Sequence, residues 1–367
     1  MDSAHLYNGF VISQNEIHFF SFKQRSESMK KITTIGIDLA KNVFQLHMTD
    51  QHGNKIDEKR LSRNKLIEFL ANTPGCLIGI EACGGAHYWA RKFQELGHEV
   101  KMMAPQFVKP YVKSNKNDCN DARGIAEAVT RSTMRFVSVK TPHQQDIQSI
   151  HRVREGIIKH KLCISNQIRG LLAEYGIVFP EGFYALRSKL PMIIDDNQNE
   201  LTSMSRELFR DLLEQFHYAD EKLKFYDKKI ILLAKENETC QRIMAIEGVG
   251  PITATAIVAT VGDATAFKNG REMSAWLGLV PRHVASGEKK RLLGITKRGD
   301  SYLRKLLIQG GRSLILSSRC KQDKRSLWIL NKYANSGFNK TAVAVANKNT
   351  RIIWALLSKK EDYKQAA

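Results

Sequence analysis

The feature that most constrains this chain is a pair of carboxylates placed inside apolar, strand-like sequence. Asp38 lies within IGIDLA and Glu81 ends LIGIEA, and both segments otherwise read as buried β-strands. A carboxylate in a core strand carries a large desolvation cost unless it meets a cation. The two acids therefore indicate either solvated or salt-bridged strand ends, or a metal site on one sheet.

A third acidic element follows in KNDCNDARGIAEAV, where Asp118 and Asp121 are three residues apart and so share one helix face. Four carboxylates from two strands and one helix could hold two Mg²⁺ ions about 4 Å apart, the arrangement used for phosphodiester chemistry. Acids at this spacing are also common on solvated helix surfaces. Each element alone leaves that alternative open, and the three together favour the metal site.

Strands and helices alternate around these acids, which predicts an α/β domain with a mixed sheet. The predicted strands are TTIGIDLA, NVFQLHM, KIDEKRLS, CLIGIEA and HEVKMMAP. The predicted helices are SRNKLIEFLAN, with Ser62 as its cap, and AHYWARKFQELG, closed by Gly97. Residues 1–28 lack the regions of a signal peptide, and we interpret them as a non-native or disordered extension before Met29. A genuine N-terminal arm is the alternative.

The middle of the chain has helical periodicity in two long segments joined by a Pro/Gly-bearing connector, VFPEGFYALRSKLP. We expect a helical hairpin or coiled coil here, which also offers a dimerisation surface. His151 and His160 lack companions at metal-ligand spacing and are interpreted as surface residues. The residues that could touch nucleic acid, or form a solvated polar face instead, are Gln148, His151, Arg152 and Arg154.

A glycine-bearing turn, MAIEGVGPITATAIVATVGD, precedes an Ala/Thr-rich helix and has the form of a helix-hairpin-helix motif. Gly248 and Gly250 would permit a tight turn whose amides face a phosphate, a contact that fixes position without reading bases. The alternative is a plain packing unit in which glycine allows close approach of two helices.

Positive charge is concentrated after this turn. The chain has 57 Lys and Arg against 37 Asp and Glu, a net charge of +20, which favours a polyanionic partner. Residues 282–325 alone carry thirteen Lys and Arg and three acids. Glycines and buried-looking Leu292, Leu293 and Ile295 interrupt this run, so we expect a folded loop or hairpin. The residues predicted to contact nucleic acid are Gly248, Gly250, Arg282, Lys289, Lys290, Arg291, Lys297, Arg298 and Arg304.

Ser286 lies within this basic loop, next to Gly287. A serine becomes a phosphoryl nucleophile only if its proton is removed and the developing charge is stabilised. The neighbours supply cations, but the loop contains no obvious base. The residues alone therefore leave Ser286 as either a nucleophile or an incidental loop serine.

Two blocks of the sequence resemble a known family. GIDLAKNVFQLH, IEACGGAHYW and KNDCNDARGIAEA resemble the RuvC-like, RNase H-fold domain of the DEDD transposases of bacterial insertion sequences, the insertion-sequence 110/1111 family. The segment from GVGPITATAIVATVGD through SGEKKRLLGITKRGDSYLR looks like their C-terminal transposase domain. The resemblance implies that the DEDD metal ligands are Asp38, Glu81, Asp118 and Asp121.

The same resemblance implies that Ser286 is the nucleophile, with Ser274 and Ser301 as weaker candidates. Family members often have Gly-Gly after the serine, whereas this chain has Gly287 and then Glu288. In the family, the DEDD domain and the serine are thought to form one composite site. Ser286 would form a covalent protein–DNA intermediate that a DNA hydroxyl resolves without ATP, in agreement with the absence of a GxxxxGK[ST] motif.

The resemblance also implies two partners, a structured guide RNA and double-stranded DNA. We expect the protein to form a homodimer or tetramer. We expect it in the bacterial cytoplasm, associated with the nucleoid and not with membrane. The alternative function is a metal-dependent, junction-resolving nuclease that uses water as nucleophile. A third possibility is a non-enzymatic nucleic-acid scaffold.

The expected fold class is α/β plus α, with a RuvC-like domain, a helical spacer and a mainly helical C-terminal domain. The expected segments are 1–28 as the extension, 29–142 as the RuvC-like domain, 143–240 as the spacer, 241–345 as the C-terminal transposase domain and 346–367 as a tail.

Overall fold

The structure is a computed structural model that describes residues 5–7, 10–12, 32–113, 117–262, 264–286 and 289–363. The chain divides into two compact units, Met1–Thr141 and Pro142–Ala367. In the N-terminal extension, β1 (His5–Tyr7) pairs antiparallel with β2 (Phe10–Ile12), and the other residues of the extension lie outside the described part.

The first unit is built on a six-stranded mixed sheet. Its strands are β3 (Thr34–Asp38), β4 (Val43–Thr49), β5 (Lys55–Ser62), β6 (Leu77–Glu81), β7 (Glu99–Met103) and β8 (Phe136–Val137). Their order across the sheet is β5-β4-β3-β6-β7-β8. Strand β6 runs parallel to β3 and β7, and the other neighbouring pairs are antiparallel.

Helices cover this sheet, and their apolar faces complete its core. They are α1 (Arg63–Ala71), α2 (Ala86–Glu95), α3 (Pro105–Val108) and α4 (Asp118–Val129), with a 3₁₀ turn at Lys109–Tyr111. Ser62 occupies the N-cap position of α1 but makes no capping side-chain bond, and Gly97 follows α2 with a left-handed φ of 88°. The mixed sheet confirms the predicted α/β character and fits an RNase H-like domain.

The second unit is mainly helical. Its helices are α5 (Pro142–Ala173), α6 (Phe183–Asp195), α7 (Ser203–Glu236), α8 (Glu238–Met244), α9 (Pro251–Val261), α10 (Gly270–Trp276), α11 (Ser301–Ser317), α12 (Lys324–Ser336) and α13 (Phe338–Lys359). A 3₁₀ turn at Ser318–Cys320 follows α11. Strands β9 (Pro281–Ser286) and β10 (Lys289–Ile295) form an antiparallel hairpin.

The long helices α5 and α7 pack against each other, and the connector that joins them contains α6. Leu190 of α6 and Phe216 of α7 lie in one buried cluster with Ile168 of α5. Arg154 of α5 donates to Asp227 of α7 at 2.6 Å. Helices α5, α6 and α7 thus form a helical layer, which both apolar burial and ion pairs stabilise.

The C-terminal segment differs from the predicted tail. Helix α13 continues to Lys359 and buries Val345, Ile353 and Leu357, so residues 346–359 belong to the core of the second unit. Gly311 of α11 allows this packing, because a Cβ there would lie 2.5 Å from the Ala342 carbonyl oxygen. None of the described helices has the length and apolar character needed to cross a membrane.

Candidate active site

Asp38 and Glu81 end two adjacent parallel strands in matching register. Ile37 of β3 pairs with Ile80 of β6, so the two acids are the next residues along each strand. Both acids are half-buried at the carboxyl edge of the sheet. The sheet thus places these two predicted ligands at neighbouring positions on one edge.

Helix α4 carries the other two acids and lies directly on β3. A Cβ at Gly36 would meet the Ala122 carbonyl oxygen at 2.2 Å and the Ala126 nitrogen at 2.4 Å, so only glycine permits this backbone contact. Asn117 caps the helix by accepting from the Asn120 amide at 2.7 Å. Asp118, which is exposed, and Asp121, which is half-buried, share the first turn.

A hydrogen-bond network around Glu58 of β5 ties α4 to the sheet. Glu58 accepts from Lys55 at 2.7 Å, from Arg123 of α4 at 3.3 Å and pairs with His47 of β4 at 2.7 Å. The hydrogen bond from Lys55, followed by those from His47, Cys119 and Arg123, lowers the pKa of Glu58 to about 2 despite its partial burial. This network was missed at the sequence level, because the EKR run of β5 reads as a solvated strand.

The donor chemistry of the four acids fits a hard divalent cation, since carboxylate oxygens are the ligands that Mg²⁺ takes in proteins. Partial burial raises the pKa of the Cys83 thiol, and the carboxylates of Asp38 and Glu81 raise it further. The negative charges of Asp38 and Glu81 therefore both act on the Cys83 thiol, beside the edge of the sheet. Within the described ranges, however, no three His, Cys, Asp or Glu side chains are grouped as a metal site.

A cavity of about 440 Å³ opens beside the strand ends that carry the two acids. Its walls include Lys41, Cys83 and Tyr88, and Gly84 contributes no side chain. Arg63 lies 4.7 Å from the Trp89 ring and donates to the Lys41 carbonyl oxygen at 3.0 Å, which fixes the wall. The site thus has room for a substrate group next to the carboxylates.

The predicted nucleophile lies at the end of a β-hairpin strand. Ser286 is the last residue of β9, and its backbone pairs with Lys289 of β10. The side chains of Ser286, Lys289 and Lys290, and Gly287 and Glu288 altogether, lie outside the described residues. Arg282 and Arg291 on the same hairpin are exposed.

The base of this hairpin is held by close backbone contacts. A Cβ at Gly299 would lie 1.9 Å from the Trp276 carbonyl oxygen, and one at Gly278 would lie 2.4 Å from the Arg298 carbonyl oxygen. Arg304 donates to the carbonyl oxygens of Leu277 at 3.1 Å and Arg298 at 2.9 Å. Arg304, predicted to contact nucleic acid, therefore has a structural role at this base, whereas Lys297 and Arg298 are exposed.

The glycines of the predicted helix-hairpin-helix turn have different surroundings. A Cβ at Gly248 would lie 2.8 Å from Leu314 and 3.0 Å from the Gly310 carbonyl oxygen, whereas Gly250 has open space and caps α9. The contact of Gly248 with α11 matches the alternative of a packing unit for that residue. A phosphate contact at Gly250 stays a prediction.

Several side chains differ from their sequence-based interpretation. Leu292 and Leu293 are 67% and 45% exposed, so the expectation of burial is wrong for both. His151 is only 3% exposed and bonds Tyr302 and Thr255 at 2.9 and 3.0 Å, so it is not a surface residue. The candidate serine Ser274 is fully buried.

Two family profiles match separate stretches of the chain. A DEDD transposase profile matches residues 35–177, and the profile described as "Transposase IS116/IS110/IS902 family" matches residues 240–327. The first match contains the four acids, and the second contains the hairpin with Ser286.

Full-length relatives give the same result. The chain is 43% identical over 363 residues to the transposase for insertion sequence element IS1111A of Coxiella burnetii, which covers 99% of both chains. It is 42% identical over 334 residues to a probable family 20 transposase of Pseudomonas aeruginosa, covering 91% of this chain and 99% of the relative. It is 38% identical over 328 residues to the IS1328 transposase of Yersinia enterocolitica, covering 89% and 97%.

Transposases are enzymes that act on DNA, and the DEDD class implies use of a divalent metal. With these profile matches and relatives, the chain belongs to the IS110/IS1111 family of insertion-sequence DEDD transposases.

Proposed function

We propose that this transposase cuts and rejoins DNA through a covalent serine–DNA intermediate formed by Ser286. Divalent ions, expected to be two Mg²⁺, would be held by Asp38, Glu81, Asp118 and Asp121. The observation that carries the metal-dependent part is the matched register of Asp38 and Glu81 at the ends of adjacent parallel strands. The choice of Ser286 is supported by its place in the segment that matches the second transposase profile. When bound by the four carboxylates, Mg²⁺ would supply Lewis-acid polarisation of the scissile phosphate and would stabilise charge on the leaving oxygen.

In the proposed reaction, the Ser286 Oγ attacks phosphorus, so that an Oγ–P bond forms and one P–O bond of the DNA strand breaks. The serine proton passes through solvent or a nearby base, and the leaving oxygen ends as a hydroxyl. A hydroxyl of another DNA strand then attacks the serine phosphodiester and releases the serine. Each step replaces one phosphoester bond with another, so no ATP is required.

The partners in this proposal are double-stranded DNA and a structured, element-encoded guide RNA. Exposed cations on the hairpin support contact with phosphate backbones, which dominate affinity for nucleic acid. Self-association as a dimer or tetramer is supported by α7, where exposed Tyr218, Phe225 and Leu232 recur every seven residues.

The experiment is covalent capture of labelled DNA that carries the element's ends, with Mg²⁺ and the element's non-coding transcript present. Wild-type protein should give a denaturant-resistant adduct whose peptide maps to Ser286. Ser286→Ala and Asp38→Asn should lose the adduct and strand exchange while they retain DNA binding. Ser313→Ala, which changes an exposed serine on the same unit, is the matched control and should keep both activities.

Full strand exchange by Ser286→Ala would refute the nucleophile. Cleavage by Ser286→Ala without any adduct would instead favour the nuclease that uses water. Retention of every activity by both Asp38→Asn and Asp121→Asn would refute the metal-dependent mechanism altogether.

A further inference from the structure

A wide groove on the second unit is lined, among the side chains that the structure describes, by none of the nine residues that the sequence predicted to contact nucleic acid. Its volume is about 2370 Å³, and its walls come from α10, α12, α13 and strand β10. Most of its polar side chains belong to the stretch 324–360, which contains eight Lys and Arg and no Asp or Glu. Two acids that follow this stretch, Glu361 and Asp362, also line the groove. The cations that line it are Arg271, Lys324, Arg325, Lys332, Lys340, Lys348, Arg351 and Lys360.

Of these eight cations, Arg325 alone forms an ion pair among the described residues, with Glu247 at 3.7 Å. Arg325 is engaged by Asn349 at 2.6 Å and by Tyr363 at 3.1 Å, but the other seven are exposed. Across the described ranges, none of the seven forms an ion pair. Of the two acids that line the groove, Asp362 pairs with Arg242 at 3.3 Å, so the cations remain in excess and repel one another unless an anion joins them.

Lys348 is an exposed residue whose ammonium group is partly covered by the groove wall and lies near other cations. Its ammonium lies 4.3 Å from the centroid of the Trp328 ring, on the wall of the groove. Partial burial, followed by the charges of Arg325 and Arg351, lowers the pKa of Lys348. A bound anion would offset both charges and restore the favourable protonation of this lysine.

The cations lie beside apolar surface instead of forming a uniformly polar face. On α13 the groove-facing positions alternate between Lys340, Lys348 and Arg351 and the small or apolar residues Val343, Ala344, Ile352 and Ala355. From Lys340 to Arg351 the helix rises about 16 Å. The facing wall is β10, whose Leu292 and Leu293 are exposed.

The combination of cations and apolar side chains in the groove favours some polyanions over others. An unpaired strand presents both phosphates, for the cations, and the faces of its bases, for apolar and aromatic side chains. A duplex encloses its bases and would set phosphates against Leu292 and Leu293. We propose that the groove binds a single-stranded segment of nucleic acid, a second site separate from the hairpin residues that were predicted to contact duplex DNA.

The proposal rests on the proposed function only in taking nucleic acid as the partner, and it does not require Ser286. Binding is therefore measured by fluorescence anisotropy in full-length Ser286→Ala protein. The probes are labelled oligo(dT), oligo(U) and a DNA duplex of equal length. The groove variant is Lys332→Gln/Lys340→Gln/Lys348→Gln, and the matched control removes three exposed lysines of α6 and α7, Lys189→Gln/Lys228→Gln/Lys235→Gln.

The salt slope is the slope of the logarithm of affinity against the logarithm of salt concentration. Removal of three phosphate contacts should reduce this slope for a single strand by about 2, equivalent to roughly 100-fold weaker binding at 0.1 M salt. The control should change binding little, and the thermal unfolding of both variants should match that of the parent. A loss for oligo(dT), oligo(U) or both supports the site, and the stronger loss identifies the natural strand as DNA or RNA.

A second readout locates the strand. Photo-crosslinking of oligonucleotides that contain 5-iodouracil should label peptides with Trp328 or Trp354, the tryptophans of the groove wall. Equal affinities of the groove variant and the control, or a larger loss for the duplex than for single strands, would overturn the proposal. Full strand exchange by the Ser286→Ala parent together with normal single-strand binding would count against the serine mechanism alone.

Discussion

At the scale of single residues, Gly36 decides how the acidic helix meets the acidic strand. Gly36→Ala would place a methyl group 2.2 Å from the Ala122 carbonyl oxygen, and a backbone neighbour cannot move aside as a side chain can. Overpacking of this kind costs about 1–3 kcal/mol or more. We expect the urea midpoint of unfolding, followed by circular dichroism, to fall accordingly.

The matched control for this substitution is Gly156→Ala, because Gly156 lies inside α5 with nothing within 4 Å of an added Cβ. Alanine is favoured over glycine in a helix interior by up to about 1 kcal/mol, so this variant should be neutral or more stable. Equal stability of the two variants would contradict the direct contact between α4 and β3.

His151 makes stability depend on pH. Burial, followed by the charge of Arg154, lowers the pKa of His151 to about 4, so the folded protein keeps this imidazole neutral. The unfolded chain protonates it near its ordinary value of about 6.5. The contribution is therefore complete above pH 6.5 and is lost as pH falls toward 4, by about 3 kcal/mol in all.

Chemical denaturation of wild type and His151→Gln between pH 7.5 and 5 checks this assignment. The variant should be less stable at pH 7.5 but should lose less stability on acidification than wild type does. Burial also lowers the pKa of His47, which gives both proteins a common slope of the same sign. If the stabilities of wild type and variant fell equally with pH, His151 would be excluded as the titrating group.

At the scale of elements, patterning predicted the parts of the fold that depend on local sequence. Alternating apolar residues located β3, β4 and β6, and the acids Asp38 and Glu81 stood out because they interrupt that pattern. The burial of His151 could not be predicted in this way, because its partners Thr255 and Tyr302 are 104 and 151 residues away. Helix α13 was missed for a similar reason, since its apolar face is buried by packing against helices distant in sequence, including α10 and α11.

The helical layer contains a buried ionic cluster that its sequence did not predict. Asp220 of α7 accepts from Arg187 of α6 at 2.7 Å, from Lys224 at 3.2 Å and from Lys161 of α5, which is itself 2% exposed. Burial raises the pKa of Asp220, but the hydrogen bonds and charges of its cationic partners outweigh it and set the pKa at about 2.

Asp220→Ala should destabilise the protein by about 3–5 kcal/mol, because it leaves the Lys161 ammonium buried without its counter-charge. Lys161→Met/Asp220→Leu removes both charges beside Phe183 and Phe216, and should recover most of that loss. Urea denaturation of wild type, single and double variants measures both effects. A double variant as unstable as the single one would show that the cluster's charges do not dominate its energetics.

At the scale of the whole molecule, the net charge of +20 has a defined distribution. Residues 282–325 carry a net charge of +10, and the stretch 324–360 carries eight cations without an acid. The positive charge of residues 282–325 is already visible in the sequence, as closely spaced Lys and Arg residues around the hairpin. The second became a surface only when α12 and α13 folded, since its cations are spaced along two helices and are not adjacent in sequence.

This distribution predicts a steep salt dependence for duplex DNA. If about 6–10 phosphates are neutralised, affinity should fall roughly 10³–10⁵-fold between 50 and 200 mM salt. Arg282→Gln/Arg291→Gln/Arg298→Gln removes three exposed hairpin cations and should lower the duplex slope by about 3. Anisotropy titrations across that salt range measure the slope, and the triple variant of α6 and α7 lysines serves again as control. A flat response of the wild type would show that the excess charge does not bind DNA, and an unchanged slope in the hairpin variant would move the duplex contact away from the hairpin.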